Sequence, residues 1–176
     1  MTKEHSIKSS IVSSEQLDVV DVHDRVIDTR SRDEIHQLAL LHRAVHVLVF
    51  NNRQQLFLQK RSLSKDENPG MWDSSAAGHV DSGENYHDCA QRELGEELGI
   101  AAPCVPLFKL AASATTCLEH CWVYRVEHNG PFSLQAEEVD EGRWVDVKEM
   151  DRLVVHEDSN ITKTLQLIWQ TYRSKG

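Results

Sequence analysis

GHVDSGENYHDCAQRELGEELGI, residues 78–100, is the stretch on which the reading turns. Its core sets Glu93, Glu96 and Glu97 at i, i+3 and i+4. On a 3.6-residue helix that spacing gathers the three carboxylates within about 100° of one another. Like charges at i, i+4, as in Glu93 and Glu97, cost a helix roughly 0.2–0.5 kcal/mol, so the compensating positive charge comes from elsewhere. Hard oxygen donors at one focus suit Mg²⁺ or Mn²⁺, ions that commonly sit between carboxylates and a phosphate substrate. Ala90, Leu94 and Leu98 give the same segment an apolar stripe, predicting a helix over Tyr86–Leu98 with Gly99 as its C-terminal cap. One flank then packs on a sheet while the other faces a cleft.

Outward from that helix, Leu17–Thr29 reads as a hairpin, and Arg32–Leu41 as either a brief helix or an extended crossover. Ala44–Phe50 and Leu56–Lys60 read as strands joined at Asn51-Asn52, with a loop over Lys65–Met71. A strand over Asp73–His79 leads into the glycine at 78. Further strands are expected near Val105–Ala112, Cys121–Glu127 and Arg143–Val147, and a closing helix over Asn160–Arg173 carries Leu165, Ile168, Trp169 and Tyr172. Residues 1–14 are polar and read as a flexible N-terminus. The remainder, 15–176, reads as a single domain, with a hairpin extension over 15–35 and a core over 36–176.

With 176 residues, 40% apolar and 27% charged, the chain has the composition of an ordinary globular domain. It holds no apolar run long enough to span a bilayer and no apolar stretch of signal-peptide type at its start. A formal net charge of −9 argues against a nucleic-acid polymer as partner. An acidic protein acting on a phosphorylated small molecule needs a divalent cation between the two. Cys89, Cys104, Cys117 and Cys121 form no paired framework and read as reduced thiols of a cytoplasmic protein. Cys117 and Cys121, placed on one strand face with His120 between them, are a minor zinc candidate against the commoner buried free thiol.

Gly78, Glu84, Arg92, Glu93, Leu94, Glu96, Glu97, Gly99 and Ile100 occupy every fixed position of the pattern Gly-x5-Glu-x7-Arg-Glu-aliphatic-x-Glu-Glu-x-Gly-aliphatic. The stretch resembles the Nudix box. The resemblance implies an α/β fold, the Nudix α/β/α sandwich with a mixed sheet, here preceded by the N-terminal β-hairpin. It implies Mg²⁺, with Mn²⁺ as substitute, held by Glu93, Glu96, Glu97 and the Gly78 carbonyl. It also implies that Arg92 holds Glu84 and orients the loop between them. Glu84 is either that partner or a metal ligand through water. Members often add a downstream acidic residue as ligand or general base. Glu138 is the first candidate here and Glu141 the second, the other reading being a solvated acidic loop. Lys60, Arg61 and Lys65 precede the box where a substrate phosphate is met, with surface solubility as the alternative. Trp72 either stacks on a base or belongs to the core rim, while Trp122 and Trp144 read as core.

A second resemblance spans more of the chain. Leu41-His42-Arg43-Ala44, Gln59-Lys60-Arg61-Ser62-x-Ser64-Lys65 and Pro69-Gly70-Met71-Trp72 look like the isopentenyl-diphosphate isomerase branch of the superfamily. The isomerases place a catalytic cysteine where this chain has Ala77, and without the thiol an allylic proton exchange loses one of its two actors. Of their histidine and glutamate metal ligands, His42, His79 and Glu119 match. Cys117 stands at a further glutamate position, and His36 lies near a first histidine but out of register. The expectation is therefore an isomerase-like Nudix hydrolase that splits a phosphoanhydride in a nucleoside diphosphate linked to another moiety. The alternatives are an isomerase-like enzyme and a non-catalytic nucleotide-binding module. A homodimer through the hairpin and the C-terminal helix is compatible with the pattern.

Overall fold

The computed structural model describes residues 15–157 and 159–176. The flexible segment expected over 1–14 lies outside them. The elements run β1 (Gln16–Val20), β2 (Val26–Ser31), α1 (Arg32–Leu38), β3 (His42–Phe50), β4 (Leu56–Arg61), β5 (Trp72–Asp73), β6 (Ala76–His79), α2 (Tyr86–Leu98), β7 (Val105–Leu110), β8 (Glu119–Glu127), β9 (Val139–Val145), α3 (Val147–Val155) and α4 (Lys163–Lys175). β1 and β2 form the antiparallel N-terminal hairpin. The main sheet has seven strands along the path β5-β4-β3-β8-β7, with β6 also on β3 and β9 also on β4. It is mixed, because β3 and β8 run parallel.

β3 explains the layering. Side chains alternate across a strand, and Val45, Val47 and Val49 pack on one side with Ala90, Leu94 and Leu98 of α2. Leu48 and Phe50 pack on the other with Leu165, Ile168 and Trp169 of α4. The run Val47–Phe50, apolar and buried on both faces, is what a parallel pairing in a sandwich requires. The apolar stripe of α4, read as a surface for a second copy, is consumed in this core. α2 begins at Asn85, whose side chain accepts from the Asp88 backbone N–H at 2.9 Å. It ends at Gly99, left-handed at φ 67°.

Of the two readings of Arg32–Leu41 the helix holds, over Arg32–Leu38, capped by a reciprocal Ser31–Glu34 pair. Several other expectations change. The strand expected over Asp73–His79 is split, because the buried hydroxyls of Ser74 and Ser75 replace ladder partners. Ser75 Oγ accepts from the Val49 N–H at 2.8 Å and donates to the Phe57 carbonyl. Asp140 and Glu141 lie in β9 and not in a loop. Val147–Val155, not anticipated, is helical. Cys117 lies in a turn at φ 54° and so does not share a strand with Cys121. No helix of the described residues is long and apolar enough to cross a membrane.

β9 crosses β4 at Gly142, where an added Cβ would stand 2.1 Å from Phe57 Cζ. Gly142→Ala is expected to destabilise the fold by about 1–3 kcal/mol through overpacking, read as a lower denaturation midpoint in urea.

Candidate active site

The N-terminal half of β3, the end of β6 and the carboxylate flank of α2 open onto one cleft of about 490 Å³. Glu93 and Glu97 are buried and Glu96 is exposed, so the three expected ligands step from the floor to the mouth. Glu97 Oε2 accepts from Gln59 Nε2 at 2.6 Å and from the Ala77 N–H at 3.3 Å. Gly78 lies against Glu93 so closely that a Cβ would sit 2.1 Å from Oε1.

The positive charge comes from within the helix, from Arg92 of α2, and not from another segment as expected. Its Nε and Nη2 clamp the two Glu84 oxygens at 2.9 Å each, a bidentate geometry that fixes register as well as charge. Nη2 also donates to the His79 carbonyl at 3.0 Å, and Nη1 to Glu93 at 2.7 Å and Glu96 at 3.3 Å. One guanidinium thus ties the loop between β6 and α2 to the helix. Glu84, spoken for by Arg92 and by the Asp81 N–H at 3.0 Å, is the ion-pair partner.

Burial pushes the Glu93 carboxyl up to about 7, against the pull of Arg92. Burial and the charge of Glu93 push Glu97 well above the carboxylate range, against the Gln59 hydrogen bond. Arg92 pairs with Glu93 but not with Glu97, on which Lys65 exerts only a through-space pull; such a donor set lacks positive charge, and a divalent cation of the Mg²⁺ class fits that deficit. A carboxyl whose folded pKa is raised binds its proton more tightly in the folded chain. Its stabilising effect is complete below the ordinary value of 4.5 and is lost as pH climbs towards about 7. In EDTA, Glu97→Gln is therefore expected to gain melting temperature relative to the parent between pH 5.5 and 8. Added Mg²⁺ should stabilise the parent more at pH 8 than at pH 5.5. Thermal melts at both pH values, with and without the ion, check this.

Arg61 and Lys65 reach the cleft, as does Glu138, which is paired with Lys65. Lys60 and Trp72 do not. Lys60 lies 3.9 Å from Glu141 across the β4–β9 pair, and the Arg143 guanidinium sits 4.8 Å over the Trp72 ring. Glu141, the second downstream acid, also lies away from the cleft lining. His46, Arg32 and Glu67 line the cleft without having been singled out, and the buried Gln59 supports it from behind through Glu97. His46 carries a sequence signal, as the one polar residue within the apolar run Ala44–Phe50.

Beside the helix carboxylates, the His36, His42 and His79 rings stand 5.0–5.5 Å apart. α1 delivers His36 in space although it is out of register in sequence. Glu119 lies beneath, its Oε1 at 3.1 Å from His79 Nε2 and 3.5 Å from His42 Nε2. Burial would lower His79 and raise Glu119, but the paired charges prevail, Glu119 and Glu15 on His79, and His42 and His79 on Glu119. His79 is raised to about 9, and Glu119 is held below the carboxylate range. The buried His36 Nε2 and His42 Nε2 lack hydrogen-bond partners. This donor set, too, can hold a metal.

A model of the NUDIX domain matches residues 40–165, which includes the whole helix and its loop. The chain belongs to the Nudix family. Among Nudix relatives, an uncharacterized hydrolase of Yersinia pestis is 38% identical over 132 residues, covering 74% of this chain and 72% of that protein. An isopentenyl-diphosphate Delta-isomerase of Photorhabdus laumondii is 34% identical over 147 residues, covering 80% of this chain and 82% of the isomerase. The crystal structure of DR0079 from Deinococcus radiodurans superposes with a TM-score of 0.78 at 25% identity, covering 89% of this chain and 98% of that one. The Nudix assignment makes this chain a hydrolase, with the fold expected from the box.

Proposed function

We propose that the protein is a divalent-metal-dependent pyrophosphohydrolase that splits a phosphoanhydride in a nucleoside diphosphate linked to another moiety. The observation carrying this reading is the stepped Glu93, Glu96 and Glu97 set facing a polar cleft that also holds Arg61 and Lys65. When bound, Mg²⁺ or Mn²⁺ neutralises charge on the phosphoryl oxygens and activates water. Glu93, Glu96, Glu97 and the Gly78 carbonyl are the groups to hold it. Gln59 and the Ala77 N–H keep one Glu97 oxygen in place, leaving the other for the cation. Arg92 fixes the backbone that carries Gly78 and the carboxylate of Glu93. Arg61 and Lys65 meet the diphosphate. Glu138, released from Lys65 once that lysine turns to phosphate, takes the proton of the attacking water.

A second reading, isomerisation of a short prenyl diphosphate, is favoured by the histidine cluster and the isomerase relative. It is opposed by Ala77 at the position of the isomerase thiol. The deciding experiment screens nucleoside diphosphate derivatives and isopentenyl diphosphate with Mg²⁺ or Mn²⁺. Phosphate or nucleotide release supports the hydrolase, whereas an allylic product without release supports the isomerase. Tight binding without either reaction would leave a nucleotide-binding module.

A further inference from the structure

The face of β3 that carries His42 and Ala44 also carries His46, and the neighbouring strands put chemistry opposite each. In the parallel β3–β8 register, His42 pairs with Glu119, Ala44 with Cys121 and His46 with Val123. In the β3–β6 register, Ala44 pairs with His79 and His46 with Ala77. Ala44 and Ala77 line the cleft with side chains of one carbon, so there is room between the larger groups. We infer that His46, Glu119 and Cys121 form a binding site for a thiophilic divalent cation of the zinc class, separate from the Mg²⁺ ligands on α2.

Ligand atoms of these three residues all lie within 4.8 Å of one another. Bonds of about 2.0–2.3 Å to a tetrahedral zinc set donor atoms roughly 3.3–3.8 Å apart, so a contraction of about 1 Å completes the site. His46 is 4% exposed and Cys121 fully buried. The hydrogen bonds assign the His46 tautomer. Ser74 Oγ has one proton, which goes to the Ala76 carbonyl at 3.3 Å, so it accepts the Nδ1–H of His46 at 2.8 Å. That tautomer leaves the lone pair on Nε2, the state a metal-binding imidazole requires. Asp73 fixes the support from behind, accepting from the Ser74 N–H at 2.7 Å and from Thr162 Oγ1 at 3.1 Å.

Glu119 divides its two oxygens. Oε1 faces His79 and His42, while Oε2 has the Cys121 thiol at 3.7 Å. Binding breaks the Cys121 S–H bond, forms a sulfur–metal bond and sends the proton to solvent. One nitrogen, one sulfur and one oxygen select zinc over magnesium, which prefers an all-oxygen shell. Three protein donors leave a fourth position open.

The test titrates the metal-free full chain with Co²⁺, a spectroscopically visible stand-in for zinc, in excess Mg²⁺. The expected result is a thiolate-to-cobalt absorption band saturating at one equivalent and displaced by Zn²⁺. Cys121→Ser and His46→Gln should each abolish the band or weaken binding at least tenfold, while Glu97→Gln leaves it intact. Cys121→Ala and Glu119→Gln repeat the measurement should either of the first two variants fail to fold. Absence of the band overturns the proposal. So does cobalt binding without thiolate character that is lost in His42→Ala, which would assign the ion to the His36, His42 and His79 set. These readouts do not depend on turnover, so they stand whether or not the hydrolase reading does.

Discussion

Glu97→Gln is expected to lower turnover of the diphosphate substrate by at least about 10²–10³-fold, the scale for removing one preorganised charge from a developing anionic centre. The reason lies in the position of this carboxylate. One oxygen is fixed by Gln59 and the Ala77 N–H, which spends the side chain's freedom in advance. The amide keeps that contact and the packing but removes the charge. Folding should survive, and the metal-free variant should be the more stable form at neutral pH because a buried charge is gone. Steady-state kinetics over a Mg²⁺ series, paired with thermal melts, checks both. A variant that retained activity within tenfold would remove Glu97 from the reacting site.

Gly78→Ala is the second large effect, and it acts on geometry where Glu97→Gln acts on charge. The added methyl would stand 2.1 Å from Glu93 Oε1 and 2.2 Å from its Cδ, far inside contact distance. The obstacle is the far end of a flexible side chain, so the backbone can stay while the Glu93 carboxylate is driven aside. Displacing a preorganised group by about 1 Å costs on the order of a hundredfold in rate. Expected, then, are a normal far-ultraviolet dichroism spectrum, a raised Mg²⁺ requirement and turnover reduced about a hundredfold. Retained turnover with an unchanged Mg²⁺ requirement would contradict the close approach.

Much of this was readable from residues alone, and the limits have identifiable causes. α2 was legible to the residue because its stripe, its spacing and its terminal glycine agree. α3 was missed although its signature is present: Asp146 precedes it, and its side chain accepts from the Glu149 N–H at 2.7 Å. A nine-residue helix directly after a strand leaves too short a periodic run to stand out. The break between β5 and β6 rests on serine hydroxyls taking the place of backbone partners, which no local pattern announces. Lys60 and Trp72 were drawn to the cleft by their neighbours in sequence. Alternation sorts them differently: Gln59 turns to Glu97 and Arg61 to the cleft while Lys60 turns away, just as Asp73 lines the cleft and Trp72 does not. The histidine that sequence placed out of register arrives through a helix, a displacement visible only in three dimensions.

β3 is at once the floor of the cleft at its start and the spine of both cores at its end. Its nine residues pair with β8 along their whole length. A slip of one residue would turn the valines towards the cleft and the histidines into the α2 core, so the donors on β3 keep their place only in the native register. The floor residues should accordingly exchange their amide hydrogens only when the whole domain opens. Any mutation that weakens the global fold will thereby loosen the site in step, and inactivation by heat should coincide with loss of tertiary structure instead of preceding it.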